Sequence, residues 1–206
     1  MNSSLGINNF TGSVPPELGN PTKLITLLST INKYIDSSGV SGPIPQEFAN
    51  LKSLQILRIG DLSGEDSSLE FLQNQKTLSI LILRNCLLSG KIPDDQLGEF
   101  YKLQELDLSL NKLTGQVPES FQDLVSLQYL DVSFNPLPGS LPQNFAKVGL
   151  SMNVVGTSIN ANNLQHKQVF LEITMPLRFV ALRIAPLSQE NPWQKHSCIP
   201  FVSSLS

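Results

Sequence analysis

Between Leu103 and Val148 one order of apolar and polar positions is written twice, 24 residues apart. Leu103, Leu106, Leu108, Asn111, Leu113, Gly115, Val117, Pro118, Phe121 and Leu124 recur as Leu127, Leu130, Val132, Asn135, Leu137, Gly139, Leu141, Pro142, Phe145 and Val148. The first apolar residues of each copy alternate with outward-facing ones, which predicts one buried face of a short strand. The second half supplies a Gly for a tight bend and then a Pro-fixed extended turn. One such unit cannot bury its own apolar side, so the repeat predicts stacked coils sharing a continuous core.

The polar exception is the Asn that closes each strand. Asn111 and Asn135 fall on the apolar side, where their amides are expected to bond backbone groups of neighbouring coils and form a ladder. Asn8 and Cys86 occupy the same slot. Cys86 there reads as a small buried thiol.

The pattern extends in both directions. Leu5, Asn8, Phe10, Gly12, Val14, Pro15 and Leu18 fit the second half of a unit, and the natural amino terminus is expected to lie further upstream. From Leu24 the next strand is expected at Ile35, which makes six residues around Leu28–Lys33 extra. Repeat two then runs through Ile35, Ser38, Val40, Gly42, Ile44, Pro45, Phe48 and Leu51. Repeat three keeps Leu57 and Ile59, replaces the ladder Asn with Leu62, and lacks the Ile-Pro turn; its irregular segment from Gly64 to Gln75 is a candidate binding surface or change of curvature. Repeat four, from Leu78, returns to pattern. After Val148 a degraded coil places Val154 and Gly156 on the strand and Ile159 in the Asn slot. From Gln165 onward neither a period of two nor one of 3.6 holds.

These residues carry a family resemblance. LxxLxLxxN followed by LxGxIP resembles the plant extracellular form of the leucine-rich repeat. Tyr34–Gln55, Leu57–Leu62 and Leu81–Pro93 resemble the ectodomains of plant leucine-rich-repeat receptor-like serine/threonine kinases that carry a malectin-like domain between repeats and membrane. The resemblance covers Leu5 to Leu164. It implies an α/β repeat solenoid of the plant type, with about six repeats, short parallel concave strands and irregular or 3-10 convex segments. Residues 1–164 form the array, its first repeat incomplete, and 165–206 an irregular tail. It further implies a cell-surface signalling role at the extracellular face of the plasma membrane, in a chain truncated before its malectin-like, transmembrane and kinase parts. The partner is then a peptide, a co-receptor or the malectin-like neighbour. Two alternatives stay open: a secreted repeat protein that inhibits wall-degrading enzymes, and a non-functional truncated gene product.

Composition narrows the chemistry. A formal charge of −3 and no basic stripe give no reason to expect nucleic acid or anionic membrane. The start of the chain lacks a signal-peptide pattern, and no apolar run reaches the ~18 residues of a spanning helix. Gly-rich-loop, HRD and DFG kinase motifs are absent, as is a GxSxG elbow, so no enzyme and no cofactor are expected. Asp94-Asp95 and Glu65-Asp66 read as solvated turn acids, and His166, His196 and Cys198 are too sparse for a metal site. Asn2-Ser-Ser and Asn9-Phe-Thr have the form of glycosylation acceptors.

Outward strand residues align in columns. One reads Arg58, Ile82, Asp107, Asp131; its neighbours read Ile56, Ile80, Glu105, Tyr129 and Gly60, Arg84, Ser109, Ser133. Apolar and basic residues gather on repeats three and four, acids and Tyr129 on five and six. This face is the candidate binding surface, because apolar, aromatic and Arg side chains are the usual anchors of protein recognition.

Overall fold

The computed structural model describes residues 2–4, 12–20, 23–29, 40–73, 75–97, 99–142, 145, 150–160 and 169–170. Alternation along each strand sorts its side chains. Leu57 and Ile59, Leu81 and Leu83, Leu106 and Leu108, Leu130 and Val132 point into the core and are at most 1% exposed, while Ile56, Arg58, Ile80 and Ile82 stay half-exposed on the other face.

Repetition turns this sorting into a sheet. The strands β1 (Asn2–Ser4), β3 (Thr26–Ser29), β5 (Ile56–Gly60), β6 (Ile80–Arg84), β8 (Glu105–Asp107), β10 (Tyr129–Asp131), β12 (Ser151–Asn153) and β14 (Val169–Phe170) form one eight-stranded parallel sheet in that order. In-register pairing places Ile56, Ile80, Glu105, Tyr129 and Ser151 in one column. Smaller parallel ladders form beyond the strand ends, pairing β2 (Gly12–Ser13) with β4 (Val40–Ser41), β7 (Ser89–Lys91) with β9 (Lys112–Thr114), and β11 (Pro138–Ser140) with β13 (Ser158–Asn160).

Opposite the main sheet the chain runs in 3-10 turns, Pro16–Gly19, Gln46–Asn50, Glu70–Leu72 and Glu119–Asp123, and one α-turn, Asp94–Leu97. Pro15, Pro45 and Pro118 immediately precede three of these turns with φ of −67°, −62° and −59°. The ring fixes the entry conformation at a position that needs no N–H. The return segments deliver Phe48, Phe71, Phe100, Phe121 and Phe145 into the core, each at most 1% exposed. Phe48 and Phe71 meet edge to face at 6.3 Å, and the rings of Phe121 and Phe145 pack tilted by 51° at 5.7 Å.

Three details differ from the sequence reading. Leu28 and Ser29 belong to β3, which follows Leu24 at once and pairs Leu27 with Leu57, so the strand is not at Ile35. From Leu27 to Gly42 the chain takes 15 residues, where Leu106 to Gly115 and Leu130 to Gly139 take 9. Six residues are still extra, but they come after the strand, and 30–39 lie outside the described residues. TLLS disguises the strand because Ser29 occupies the inward place that Ile59 fills in the next coil.

The last coil also sits two residues earlier than expected. Met152 pairs with Leu130, and Thr157 rather than Ile159 takes the ladder slot, its hydroxyl donating to Val154 O at 2.7 Å. Finally, β1 and β14 add two strands that no repeat signal marked, and β14 comes from the segment read as an irregular tail.

The irregular segment of repeat three turns inward: Ser67, Leu69, Phe71, Leu72 and Gln75 are buried. Gln75 Nε2 donates to Phe48 O at 2.6 Å, and Ser67 Oγ accepts from Ile44 N at 2.9 Å. Part of this segment therefore packs into the core, while Gly64, Glu65, Asp66, Glu70 and Gln73 stay exposed. Its exposed acid Asp66 receives Lys112 Nζ at 2.6 Å.

Candidate functional site

The outer face of the main sheet is not uniform. On its β5–β6 part, Ile56, Ile80 and Ile82 are half-buried, and Arg84 is exposed. Arg58 Nη2 reaches Glu105 Oε2 at 3.5 Å. Strand β6 lies between these two residues, so the pair bridges the strand that carries Ile80 and Ile82. Both partners are partly solvated, and the contact is worth little as stability.

On the β8–β10 part the side chains bond each other. Asp107 Oδ1 accepts from Ser109 N at 2.9 Å and Ser109 Oγ at 2.6 Å. Asp131 Oδ1 accepts from Ser133 N at 2.9 Å, and its Oδ2 accepts from Tyr129 Oη at 3.1 Å and Asn153 Nδ2 at 2.9 Å. Asp131 is consequently only 6% exposed, and Ser109 and Ser133 are 2% exposed. The expected open acidic column is thus half-exposed at Glu105, Asp107 and Tyr129 and covered at Asp131.

Electrostatics follow the burial. Desolvation, and then the neighbouring Asp131 carboxylate, hold the Asp107 carboxyl above the usual carboxylate range, while Ser109 and Arg84 pull the other way. Burial, followed by the charge of Asp131, pushes the Tyr129 phenol up. Tyr129 therefore keeps its hydroxyl proton, which it donates to Asp131.

At the C-terminal end of the strands lies a feature that periodicity did not flag. The residue before each ladder slot is left-handed: Asp61, Asn85, Leu110 and Phe134 have φ of 56°, 53°, 58° and 53°, and Gly156 takes the same slot at 65°. Asp61 and Asn85 suit it, and Asn85 Nδ2 donates to Asp61 Oδ1 at 2.9 Å. Leu110 and Phe134 suit it less and are 38% and 52% exposed. The available signal was an apolar residue on the polar side of an otherwise regular unit.

Beneath this face the ladder takes shape. Asn111 Nδ2 donates to Leu83, Leu108 and Ser109 carbonyls at 2.8–3.0 Å, and its Oδ1 accepts from Cys86 N and Leu88 N. Asn135 Nδ2 donates to Leu108, Val132 and Ser133 carbonyls, and its Oδ1 accepts from Leu113 N at 3.0 Å. Cys86 Sγ donates weakly to Ile59 O at 3.3 Å and Arg84 O at 3.4 Å. Asn8, Asn9, His166, His196 and Cys198 lie outside the described residues; Asn2 is described as strand backbone. Among the described residues no helix is long and apolar enough to cross a membrane.

Comparison with known proteins agrees with this architecture. The family described as Leucine rich repeat matches residues 76–137. A probable LRR receptor-like serine/threonine-protein kinase of Arabidopsis thaliana is 41% identical over 64 residues, covering 31% of this chain and 6% of the relative. Receptor-like protein 41 of the same plant is 34% identical over 122 residues, covering 57% of this chain and 13% of the relative. The chain thus spans a small fraction of either. The solved structure of the plant peptide hormone receptor RGFR1 in complex with RGF2 superposes with a TM-score of 0.66 at 28% identity, covering 79% of this chain and 26% of that one. The chain is a solenoid of leucine-rich repeats, homologous to plant LRR receptor-like proteins and receptor-like kinases.

Proposed function

We propose that this chain is a non-enzymatic recognition module that binds an extended peptide or a protein segment along the outer face of its main sheet. The observation that carries the reading is the change of character along one continuous surface. Half-buried Ile56, Ile80 and Ile82 beside Arg58 and Arg84 give way within one coil to Glu105, Asp107 and Tyr129. Such a surface offers apolar anchorage at one end and hydrogen-bonding and charge complementarity at the other, and so fixes the direction of a bound chain. The peptide-hormone complex of the structural neighbour supports the same reading.

The finer assignment follows the motifs at Tyr34–Gln55 and Leu81–Pro93. The module is part of a receptor-like kinase ectodomain of the malectin-like subgroup, at the extracellular face of the plasma membrane, glycosylated at Asn2 and Asn9. A co-receptor or the malectin-like domain is then a second protein partner.

Panning a display library of random linear peptides against the folded protein tests the reading. Selected peptides are expected to lose binding to Ile82→Asp and to keep it with Thr114→Asp on the lateral ladder. A library that yields no binder, or binders indifferent to Ile82→Asp, overturns it.

A further inference from the structure

A polar groove lies on a different part of the coil. Just before the main-sheet strands begin, Gln55, Thr77, Ser79, Lys102, Gln104 and Ser126 line a groove of about 350 Å³. That volume is within the ordinary range of small-ligand sites. The repeat builds it: Gln55, Ser79 and Gln104 precede β5, β6 and β8, and Thr77, Lys102 and Ser126 occupy a second column two residues earlier in successive coils.

The hydroxyl protons in this groove are already committed. Thr77 Oγ1 donates to Leu54 O at 2.7 Å, Ser79 Oγ to Gln55 O at 2.9 Å, and Ser126 Oγ to Tyr101 O at 2.7 Å. Each hydroxyl therefore offers only lone pairs, so the wall carries a row of fixed acceptors. The carboxamides of Gln55 and Gln104 are exposed and make no hydrogen bond among the described residues, and each supplies both a donor and an acceptor. The lining holds one full charge, Lys102, whose Nζ sits 5.7 Å from the Tyr101 ring centroid and forms no ion pair among the described residues.

This set discriminates among ligands. A phosphate or sulfate would suit Lys102 but would set its acceptor oxygens against three hydroxyl lone pairs. A neutral apolar ligand finds no apolar lining side chain. What fits is a molecule with several hydroxyl donors and one carboxylate, spread over successive coils roughly 4.8 Å apart. We propose that this groove binds an acidic oligosaccharide, with sugar hydroxyls donating to Thr77, Ser79 and Ser126, Gln55 and Gln104 bridging neighbouring hydroxyls, and Lys102 holding a uronate carboxylate.

The test is calorimetric titration of the full chain with trigalacturonate, with cellotriose, citrate and a triglutamate peptide as separate arms. Trigalacturonate is expected to bind saturably and about tenfold more tightly than each of the other three. Lys102→Gln is expected to lower its affinity by about tenfold and Gln104→Ala by a smaller factor, while Lys102→Arg retains most of it. Both Lys102 and Gln104 are exposed, and circular dichroism of each variant checks the fold. No saturable trigalacturonate binding, equal binding of citrate or triglutamate, or indifference to Lys102→Gln overturns the assignment. Ile82→Asp is expected to leave the sugar titration unchanged, which separates failure here from failure of the peptide-binding reading.

Discussion

Repeats three and four close their strands on Leu62 and Cys86, repeats five and six on Asn111 and Asn135, yet all four coils stack in one register. The two solutions distribute the backbone differently. In the later coils a single amide collects four or five backbone groups, some from its own coil and some from the preceding one. In the earlier coils the thiol of Cys86 reaches Ile59 O and Arg84 O, and Leu62 N finds Asn85 O directly. The slot thus needs backbone partners more than it needs an amide, and a coil without one leans harder on apolar packing.

The largest effect is expected where the amide serves most groups. Asn111→Leu leaves Leu83 O, Cys86 N and Leu88 N without their buried partner, at roughly 1–3 kcal/mol per unsatisfied group. A sum of about 3 kcal/mol or more is a large fraction of a marginal stability, so soluble expression is expected to collapse. Asn135→Leu releases one fewer N–H and is expected to be somewhat milder in a urea titration. Cys86→Ser keeps a donor in the slot and is expected to cost only about 1 kcal/mol. Equal urea midpoints for Asn111→Leu and Cys86→Ser would erase the distinction between the two solutions.

The same slot governs reactivity. Burial first, and then the charges of Asp61 and Asp107, push the Cys86 thiol up, so it stays protonated and shielded. In a Cys198→Ser background a chromogenic disulfide reagent is expected to label no thiol in the native protein and one after denaturation. Labelling before unfolding would show that the earlier coils open locally.

How far the sequence could be read depends on the strength of each local signal. The 24-residue echo gave the coil, its inward leucines and the ladder position, because apolar burial obeys the strand period strictly. Leu27 is hard to read as a strand residue because Ser29, the next inward position, lacks apolar character, and Asn2–Ser4 and Val169–Phe170 are too short for any period. The outward columns were assigned by register alone. Register cannot tell that Tyr129 and Asn153 close over Asp131, or that Arg58 crosses β6 to Glu105, since those depend on side-chain reach. The polar groove at Lys102 stayed hidden for a related reason: its residues lie just outside the strands whose pattern was being read.

A pH profile sharpens the contrast on the outer face. Asp107 has its folded-state carboxyl pKa raised by burial and by Asp131, so the folded form binds that proton more tightly than the unfolded chain does. The stabilisation linked to this proton is present in acid and is lost as pH rises from the ordinary Asp value through the raised one. Asp107→Asn keeps an oxygen for Ser109 N and removes the like charge. The variant is expected to melt above the parent at neutral pH, by less than the Cys86→Ser difference, with the gap closing on acidification. A gap that widens in acid would mean that the interaction with Arg84 outweighs burial.

The smallest effect is expected in the left-handed slot, where the early and late coils again differ. Asp61 and Asn85 adopt positive φ with side chains that bond each other, whereas Leu110 holds the same conformation at 58° with a branched apolar side chain. The left-handed region costs an L-residue roughly 1–2 kcal/mol, and Asn relieves part of that through local hydrogen bonding. Leu110 N donates to Ser133 O at 3.0 Å through backbone alone, so an exchange of side chain keeps the bond. Leu110→Asn is therefore expected to raise the urea midpoint by the equivalent of about 0.5 kcal/mol, as a fraction of the strain is released. At Phe134 the same exchange also removes a ring that lies against Gly156, where an added Cβ would meet Cδ1 at 2.8 Å, so its gain is expected to be smaller. A loss of stability in Leu110→Asn would show that the exposed leucine packs along the strand ends strongly enough to offset its backbone strain.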